Sequence, residues 1–356
     1  MRNALYVLVS LTFLGCMPTG PGDLDEDDGD GGSGVGSTSS SGTGLFGSSG
    51  EGGAGVGGDG TGNTGSGTGG GGTAGGGTGG SGQGGWGDPN CYTEPVDPQA
   101  DISDIVQSYG GSGYRDQVIE AMNRRWPAGG HLLTVQKNDY YFGQFSDPYS
   151  WSGMVGWLDT LVHEETHLIN ADLAWSQGQA HALYFRSDLI IYLPAEQGFP
   201  RSEILDDLVP ALQNSIYAMY FTGQQGQRAF NPLLDEATCY GNEVPGMAVF
   251  GEYYNGGVSL RDGSAAFLNF IQVYLRVARN EYPTFYNFAK GQPAYVDAVR
   301  TIWLRTHFHY QHADTHPSLG INDATYRAEA HQQHNLDEIE MFIGAKVGDS
   351  NCLITQ

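Results

Sequence analysis

Glycine content is the feature that most limits what this chain can fold into. The sequence of 356 residues contains 56 glycines, and more than half of them lie before residue 91. Residues 16–88 consist mainly of Gly, Ser and Thr, with a short acidic run near their start. Such a segment lacks the apolar side chains that a core requires, and it behaves as a flexible coil. We therefore predict a disordered linker over residues 16–88 and a single folded domain in residues 89–356.

The first fifteen residues are typical of a bacterial export signal. Arg2 supplies a positive charge, and residues 4–14 (ALYVLVSLTFL) are apolar or small. This run is shorter than the about 20 residues that cross a bilayer, but it suits a signal peptide over residues 1–15. Gly15-Cys16 at its end resembles the lipobox of bacterial lipoproteins, although the two residues before Gly15 are bulkier than usual. The resemblance implies lipidation of Cys16; simple secretion is the alternative.

The charge of the chain argues against one class of partner. The formal net charge is −24 at pH 7, and acidic residues outnumber basic ones in the folded part as well as in the linker. An acidic domain repels phosphate backbones, so we expect no nucleic acid partner. It also repels anionic lipids, so the membrane is reached through a lipid anchor on Cys16. In lipoproteins, Met17 in the next position favours the outer membrane or the cell surface.

Three cysteines remain if Cys16 is lipidated, and an exported protein meets an oxidising compartment. Cys91 and Cys352 bracket the folded domain. Domain termini often lie close together, which favours a disulfide between these two residues. Cys239 would then be a small buried hydrophobic residue.

Helical patterns dominate the folded part. Together with two stretches typical of strands, they indicate an α+β fold in which helices prevail, with a small mixed sheet. The predicted helices are 101–126 (broken at Gly110-Gly111), 153–174, 202–222, 231–241, 265–280, 282–289, 293–310 and 322–344, and the predicted strands are 131–145 and 181–193.

Residues 163–167 read His-Glu-Glu-Thr-His, an H-E-x-x-H motif. On a helix, residues at i and i+4 share a face, so the imidazoles of His163 and His167 can reach one metal ion. Glu164 lies slightly further round the helix, where its carboxylate can take a proton from a water molecule. The motif therefore predicts a catalytic metal site; an incidental histidine pair on a surface helix is the alternative.

The motif and its apolar flanks resemble the active-site helix of zincin metallopeptidases. The resemblance implies a zincin-like domain, one zinc ion and a protein or peptide substrate. Glu165 departs from the family, which has uncharged residues at this place. The H-x-x-G-x-x-H extension of metzincins is absent after His167, so the chain is more similar to gluzincins, whose third ligand is a glutamate on a later helix.

A third metal ligand is expected among later side chains. Glu236 interrupts an apolar helical stretch, and a lone carboxylate on such a face requires a partner. Glu243, Asp188 and His181 are the alternatives. Tyr240 follows Glu236 by about one helical turn, so its hydroxyl could donate a hydrogen bond to an oxyanion; simple core packing is the alternative.

A second group of histidines lies near the end of the chain and could bind a separate metal ion. A polar helix face is the alternative for this group. Its members are His307, His309, His312, His316, His331 and His334.

These observations favour zinc-dependent peptide-bond hydrolysis outside the cytoplasm, with Glu164 as the general base. A catalytically inactive, zincin-like lipoprotein that serves in surface binding or adhesion is the alternative. A lipoprotein that stores or senses metal through the second histidine group is a third interpretation. The substrate and the oligomeric state do not follow from the sequence.

Overall fold

Helices make up most of the folded part of the chain. The computed structural model of the protein describes residues 90–195, 198–254 and 259–354, all within the unit Gly79–Gln356. The predicted signal peptide, Cys16 and the linker lie outside the described residues. In the part that is described, no helix is both long enough and apolar enough to cross a membrane.

The α-helices of the described residues are numbered in chain order. They are α1 (Ser103–Ser108), α2 (Tyr114–Arg125), α3 (Pro127–Val135), α4 (Tyr140–Gln144), α5 (Trp151–Val155), α6 (Leu158–Ser176), α7 (Pro210–Gln213), α8 (Gly223–Gly226), α9 (Phe230–Ala248), α10 (Leu260–Glu281), α11 (Pro283–Gly291), α12 (Pro293–Ala313), α13 (Asp323–Ala330) and α14 (Gln333–Ile343). Short 3₁₀ helices cover Gly111–Gly113, Arg201–Asp207, Ile216–Phe221, Gly251–Tyr253 and Pro317–Leu319.

The sheet of the described residues is a single hairpin. Strand β1 (His181–Arg186) pairs antiparallel with β2 (Leu189–Leu193). The stretch predicted as one strand over 181–193 is therefore two strands, because the polar pair Ser187-Asp188 makes a turn in the middle of the apolar run. The helix-dominated α+β class is confirmed, whereas the expectation of a mixed sheet is wrong.

The strand predicted over residues 131–145 is also wrong, because this stretch forms α3 and α4. Pro127 occupies the first turn of α3, where its fixed φ suits a helix. At the start of α4, the Asp139 carboxylate accepts a hydrogen bond of 2.6 Å from the Tyr141 backbone N–H. The aromatic residues that suggested a strand are thus held in a capped helical turn.

The break predicted at Gly110-Gly111 is confirmed. Both residues have positive φ, 129° and 69°, a conformation that glycine adopts far more readily than other residues. The helix predicted over 202–222 is instead a series of short helical segments, namely α7 and the 3₁₀ helices Arg201–Asp207 and Ile216–Phe221. Pro210 interrupts this stretch, since it lacks a backbone N–H and restricts the residue before it.

Helices α6 and α9 form the centre of the fold. They pack against each other, and α9 also packs against α10 and α12. Almost every residue of α9 is buried, including the charged residues Glu236 and Glu243. Asn242 of α9 donates a hydrogen bond of 3.0 Å to Thr166 of α6, which links the two helices.

The ends of the described chain are joined. Cys91 and Cys352 form a disulfide, as predicted. Backbone hydrogen bonds of 2.8 Å on each side of it run from Tyr92 to Asn351 and from Leu353 to Asn90. Cys239 is buried and free of any disulfide, which also agrees with the prediction.

Candidate metal centre

The H-E-x-x-H motif lies in the middle of α6, and its two histidines face α9. His163 and His167 are both buried, and their rings meet edge to face with centroids 4.9 Å apart. Opposite them, α9 presents Glu236, Cys239 and Glu243, which recur at the spacing of one helix face. The centre is therefore built between two long helices whose register is set by core packing.

Three electron-rich atoms converge between these helices. The Nε2 atoms of His163 and His167 are 3.2 Å apart. Oε2 of Glu236 lies 3.6 Å from the first and 3.5 Å from the second. This oxygen is buried and has no hydrogen-bond partner in the described residues. The structure thus brings together His163, His167 and Glu236, the three ligands that were predicted from the sequence.

The other nitrogen of each ring is held by a carboxylate. Nδ1 of His163 contacts Glu243, and Nδ1 of His167 lies 2.6 Å from Asp235. Carboxylates accept hydrogen bonds, so each Nδ1 carries a proton and each Nε2 can offer its lone pair to a cation. Asp235 is itself held by Asn170, whose amide donates to it at 2.6 Å.

Without a bound cation, protons take up the negative charge of this centre. Burial alone would lower the pKa of His163, but Glu243 and Glu236 outweigh it and raise the pKa to about 10. Burial likewise opposes ionisation of Glu236, yet the two imidazoles lower its pKa below the ordinary value. A metal ion that binds here therefore displaces protons from the imidazoles.

Cys239 adds a sulfur to the centre. His163, His167 and Cys239 form a triad able to hold a metal ion, with ligand atoms all within 4.8 Å of one another. Burial raises the pKa of the Cys239 thiol well above its ordinary value, and the nearby His167 opposes this shift. Glu236 and Cys239 thus each offer a potential ligand atom close to the histidine pair.

The two consecutive glutamates of the motif have different surroundings. Glu164 is buried beside the pair, and its negative charge contributes to raising the pKa of Glu243. Glu165 faces away, toward Asp139 and Arg115. Burial raises the pKa of Glu165 to about 9, with the Asp139 charge adding to the effect. Burial therefore favours the uncharged form of the Glu165 carboxyl.

Tyr240 lies against the histidine pair. Its ring meets that of His163 edge to face at 4.8 Å between centroids. Its hydroxyl is 3.1 Å from the hydroxyl of Tyr220. Burial raises the pKa of Tyr240 well above the ordinary value, so the hydroxyl keeps its proton at neutral pH and can donate it in a hydrogen bond.

The alternative third ligands are placed differently. Asp188 is largely exposed and pairs with Arg186 at 2.6 Å, away from the centre. His181 opens β1, and neither a hydrogen bond nor a ring contact joins it to the pair among the described residues. Glu243 reaches the pair, but through Nδ1 of His163, the side that faces away from Glu236.

The second histidine group does not gather at one place. Only His307 and His331 meet, with their Nε2 atoms 3.1 Å apart. His309 turns to the other side of α12 and contacts Glu94. His334 is exposed and lies 3.8 Å from Glu329.

Sequence reasoning missed the supporting residues of the centre. Two of these residues are close to Glu236 in the sequence, since Asp235 directly precedes it and Cys239 follows it by three positions. A helical wheel through Glu236 places Cys239 and Glu243 on the same face and could have shown that this face is polar. Asp235 reaches His167 only because of the packing of α9 on α6, and this packing cannot be predicted from the sequence pattern.

Comparison with known proteins yields no match to any family model, any curated protein or any solved structure.

Proposed function

We propose that this chain is an exported, zinc-dependent peptidase with a zincin-like site, in which His163, His167 and Glu236 bind zinc. One observation carries the proposal, the triangle of 3.2, 3.5 and 3.6 Å between Nε2, Nε2 and Oε2. Tetrahedral zinc with bonds of about 2.0–2.2 Å separates its ligand atoms by about 3.3–3.5 Å. The three atoms therefore fit one zinc ion with little movement.

The surrounding residues also suit zinc. Imidazole ligands favour zinc and neighbouring transition metals over magnesium and calcium. In zinc sites the distal ring nitrogen is usually bonded to a carboxylate or a carbonyl oxygen, which orients the ring and increases its basicity. Glu243 and Asp235 hold these positions here. The unpaired oxygen of Glu236, buried without a hydrogen bond, has a partner once a cation is bound.

Zinc, Glu164 and Tyr240 have separate roles in the proposed hydrolysis. Zinc bound here supplies a Lewis acid that polarises a carbonyl and makes water more acidic. Glu164 accepts the proton of the attacking water and delivers it to the leaving amine. Tyr240, whose hydroxyl keeps its proton, donates a hydrogen bond to the oxyanion that develops on the carbonyl. The substrate is a protein or peptide outside the cytoplasm.

The decisive experiment compares two neighbouring glutamates in the full chain. Glu164→Gln removes the proposed base and should lower kcat for peptide hydrolysis by about 10²–10⁴-fold while one zinc ion stays bound. Glu165→Gln is the matched control, because Gln replaces a carboxyl whose uncharged form is favoured by burial. We expect it to keep both zinc and activity, as measured by elemental analysis and peptide cleavage.

The following outcomes would contradict the proposal. If the wild type binds zinc but cleaves no peptide, or if Glu164→Gln is as active as Glu165→Gln, Glu164 is not the base. If the wild type, purified without chelators, holds no zinc and gains none on addition, the zinc site itself is wrong.

Export is part of the proposal and has its own test. Lipidation of Cys16 would anchor the protein in the outer membrane. Cys16→Ala should abolish labelling by a fatty acid analogue and move the protein from the membrane fraction to the soluble fraction. Labelling that persists in this variant would contradict lipidation at Cys16.

Cys239 favours a second candidate function, a closed metal site in a binding or adhesion lipoprotein. Structural zinc sites have four protein ligands and leave no position for water. If Cys239 joins His163, His167 and Glu236, the site is closed. This function predicts that Cys239→Ala weakens zinc binding strongly and that the wild type has no peptidase activity.

A further inference from the structure

A second place where two imidazoles meet lies between α12 and α13, away from the residues of the proposed zinc site. Nε2 of His307 is 3.1 Å from Nε2 of His331. His307 is buried and His331 is half-buried, so one side of the pair can be reached from solvent. Trp303 packs against both rings, with centroid distances of 4.6 and 5.6 Å.

The hydrogen bonds of the distal nitrogens decide which atoms face each other. Nδ1 of His307 lies 2.8 Å from the carbonyl oxygen of Trp303, and Nδ1 of His331 lies 2.7 Å from that of Arg327. A carbonyl oxygen can only accept, so both Nδ1 atoms must carry protons. In the neutral rings neither Nε2 atom then carries a proton. The lone pairs of the two Nε2 atoms face each other and repel.

We propose that His307 and His331 bind a divalent transition metal ion, such as Zn²⁺, Ni²⁺ or Cu²⁺, through these Nε2 atoms. A separation of 3.1 Å suits two neighbouring ligands of one ion, since bonds of about 2.0–2.1 Å place such nitrogens about 3.0–3.4 Å apart. Imidazole is a preferred ligand of these ions. Water fills the remaining positions on the side of His331.

The charges around the pair are compatible with a cation. Arg327 is close, but its guanidinium is engaged by Asp314 at 2.9 Å and lies over the ring of Tyr310. Asp349 is exposed and its charge reaches His307. The competing explanation is a single proton shared by the two rings. Burial opposes this, because burial together with the neighbouring His331 and Arg327 lowers the pKa of His307 to about 4.

The experiment counts metal ions in the full chain. The His163→Ala, His167→Ala double variant removes two ligands of the proposed zinc site, so any ion that remains reports on the second pair. Titration of this variant with Ni²⁺ or Zn²⁺ alone, followed by calorimetry, should give one equivalent. Adding His331→Gln should weaken that binding at least tenfold. His334→Gln is the matched control, because His334 is three residues away, exposed and outside the pair.

Nitrogen NMR of the imidazoles separates the two explanations even if a variant folds poorly. With metal, both Nε2 resonances of the pair should shift while both Nδ1 atoms stay protonated. The proposal is overturned if the double variant binds no ion, if His334→Gln weakens binding as much as His331→Gln, or if the spectra show one shared proton that added metal does not displace. These outcomes do not depend on whether the His163 site hydrolyses peptides.

Discussion

In both histidine pairs the Nε2 atoms face each other at nearly the same distance, 3.2 Å between His163 and His167 and 3.1 Å between His307 and His331. The distal nitrogens differ. In the first pair they contact the carboxylates of Glu243 and Asp235, and in the second they contact backbone carbonyls. The same spacing of two imidazoles is therefore found in two different surroundings. Only the first pair has negatively charged groups at its distal nitrogens.

This difference sets the expected strength of each site. A carboxylate on the distal nitrogen makes the imidazole a better metal ligand than a neutral carbonyl does. The first pair also has a buried carboxylate oxygen, Oε2 of Glu236, at 3.6 and 3.5 Å from its two Nε2 atoms. We accordingly expect tight binding at the first pair, and weaker binding at the second that exchanges readily with solvent.

The largest effect should come from a residue that supports both regions. Glu94 is fully buried and contacts His309 and Arg305 of α12, and Arg305 also donates to the carbonyl of Gly241 in α9. Glu94→Gln removes the charge partner of a buried arginine and should lower the free energy of unfolding by about 3–5 kcal/mol. Denaturant unfolding measures this loss, and both sites should lose metal together.

Asp104→Asn is the control for this prediction, since Asp104 pairs with Arg124 at the surface and such pairs contribute about 0–1 kcal/mol. The pH dependence gives a second check. Burial would raise the pKa of Glu94, but Arg305 and His309 lower it to about 2. The stabilisation from Glu94 is thus present above its ordinary pKa and is lost as the pH falls from about 4.5 toward 2. Equal unfolding curves for Glu94→Gln and Asp104→Asn would contradict the role assigned to Glu94.

The next largest effect should separate the two pairs. Glu236→Ala removes an atom that only the first pair has, and zinc affinity there should fall by more than the roughly 10–100-fold typical of changes around the ligands. Competition with a chromogenic chelator measures this fall. Asp188→Asn, which changes an exposed acid away from the centre, should leave affinity unchanged. A loss below tenfold in Glu236→Ala would show that the first pair resembles the second more than the structure indicates.

A smaller change sharpens the comparison at the distal nitrogens. Asp235→Asn keeps the shape of the side chain but replaces the carboxylate on His167 with a neutral amide, as in the surroundings of the second pair. Zinc affinity should fall by about 10–100-fold in the same chelator assay. Unchanged affinity would mean that the carboxylates do not account for the difference between the pairs.

The smallest effect is expected at Cys239. If Glu236 is the third ligand and water the fourth, Cys239→Ala should change zinc affinity by less than tenfold and leave peptide cleavage intact. Cobalt substitution gives an independent reading, since a sulfur ligand produces an intense charge-transfer band. Such a band, together with a large loss of affinity, would favour the closed site over the peptidase.

Most of what could be predicted from the sequence depends on one helix at a time. The H-E-x-x-H motif could be recognised because its spacing depends on α6 alone. Glu236 could be recognised because a lone acid interrupts an apolar helix. The disulfide between Cys91 and Cys352 followed from the usual closeness of domain ends. None of these required knowledge of how two helices pack.

Contacts between elements could not be predicted in the same way. Asp235 reaches His167 only through the packing of α9 on α6, and His307 meets His331 only because the fold brings the end of α13 close to α12. The stretch 131–145 was misassigned because its aromatic residues suit a strand locally, whereas packing against the core and the cap at Asp139 favour helices. The sequence also does not show that Glu165 is buried, which raises the pKa of its carboxyl.

The bond between Cys91 and Cys352 makes the folded part a closed covalent ring. If the protein cleaves proteins, copies of itself are among the substrates it meets. One cut inside the ring opens a backbone bond but releases no fragment, so self-digestion would stay hidden on a gel until a reducing agent is added. If Cys16 carries a lipid, a cut within residues 16–88 would instead release the whole ring from the membrane in one piece.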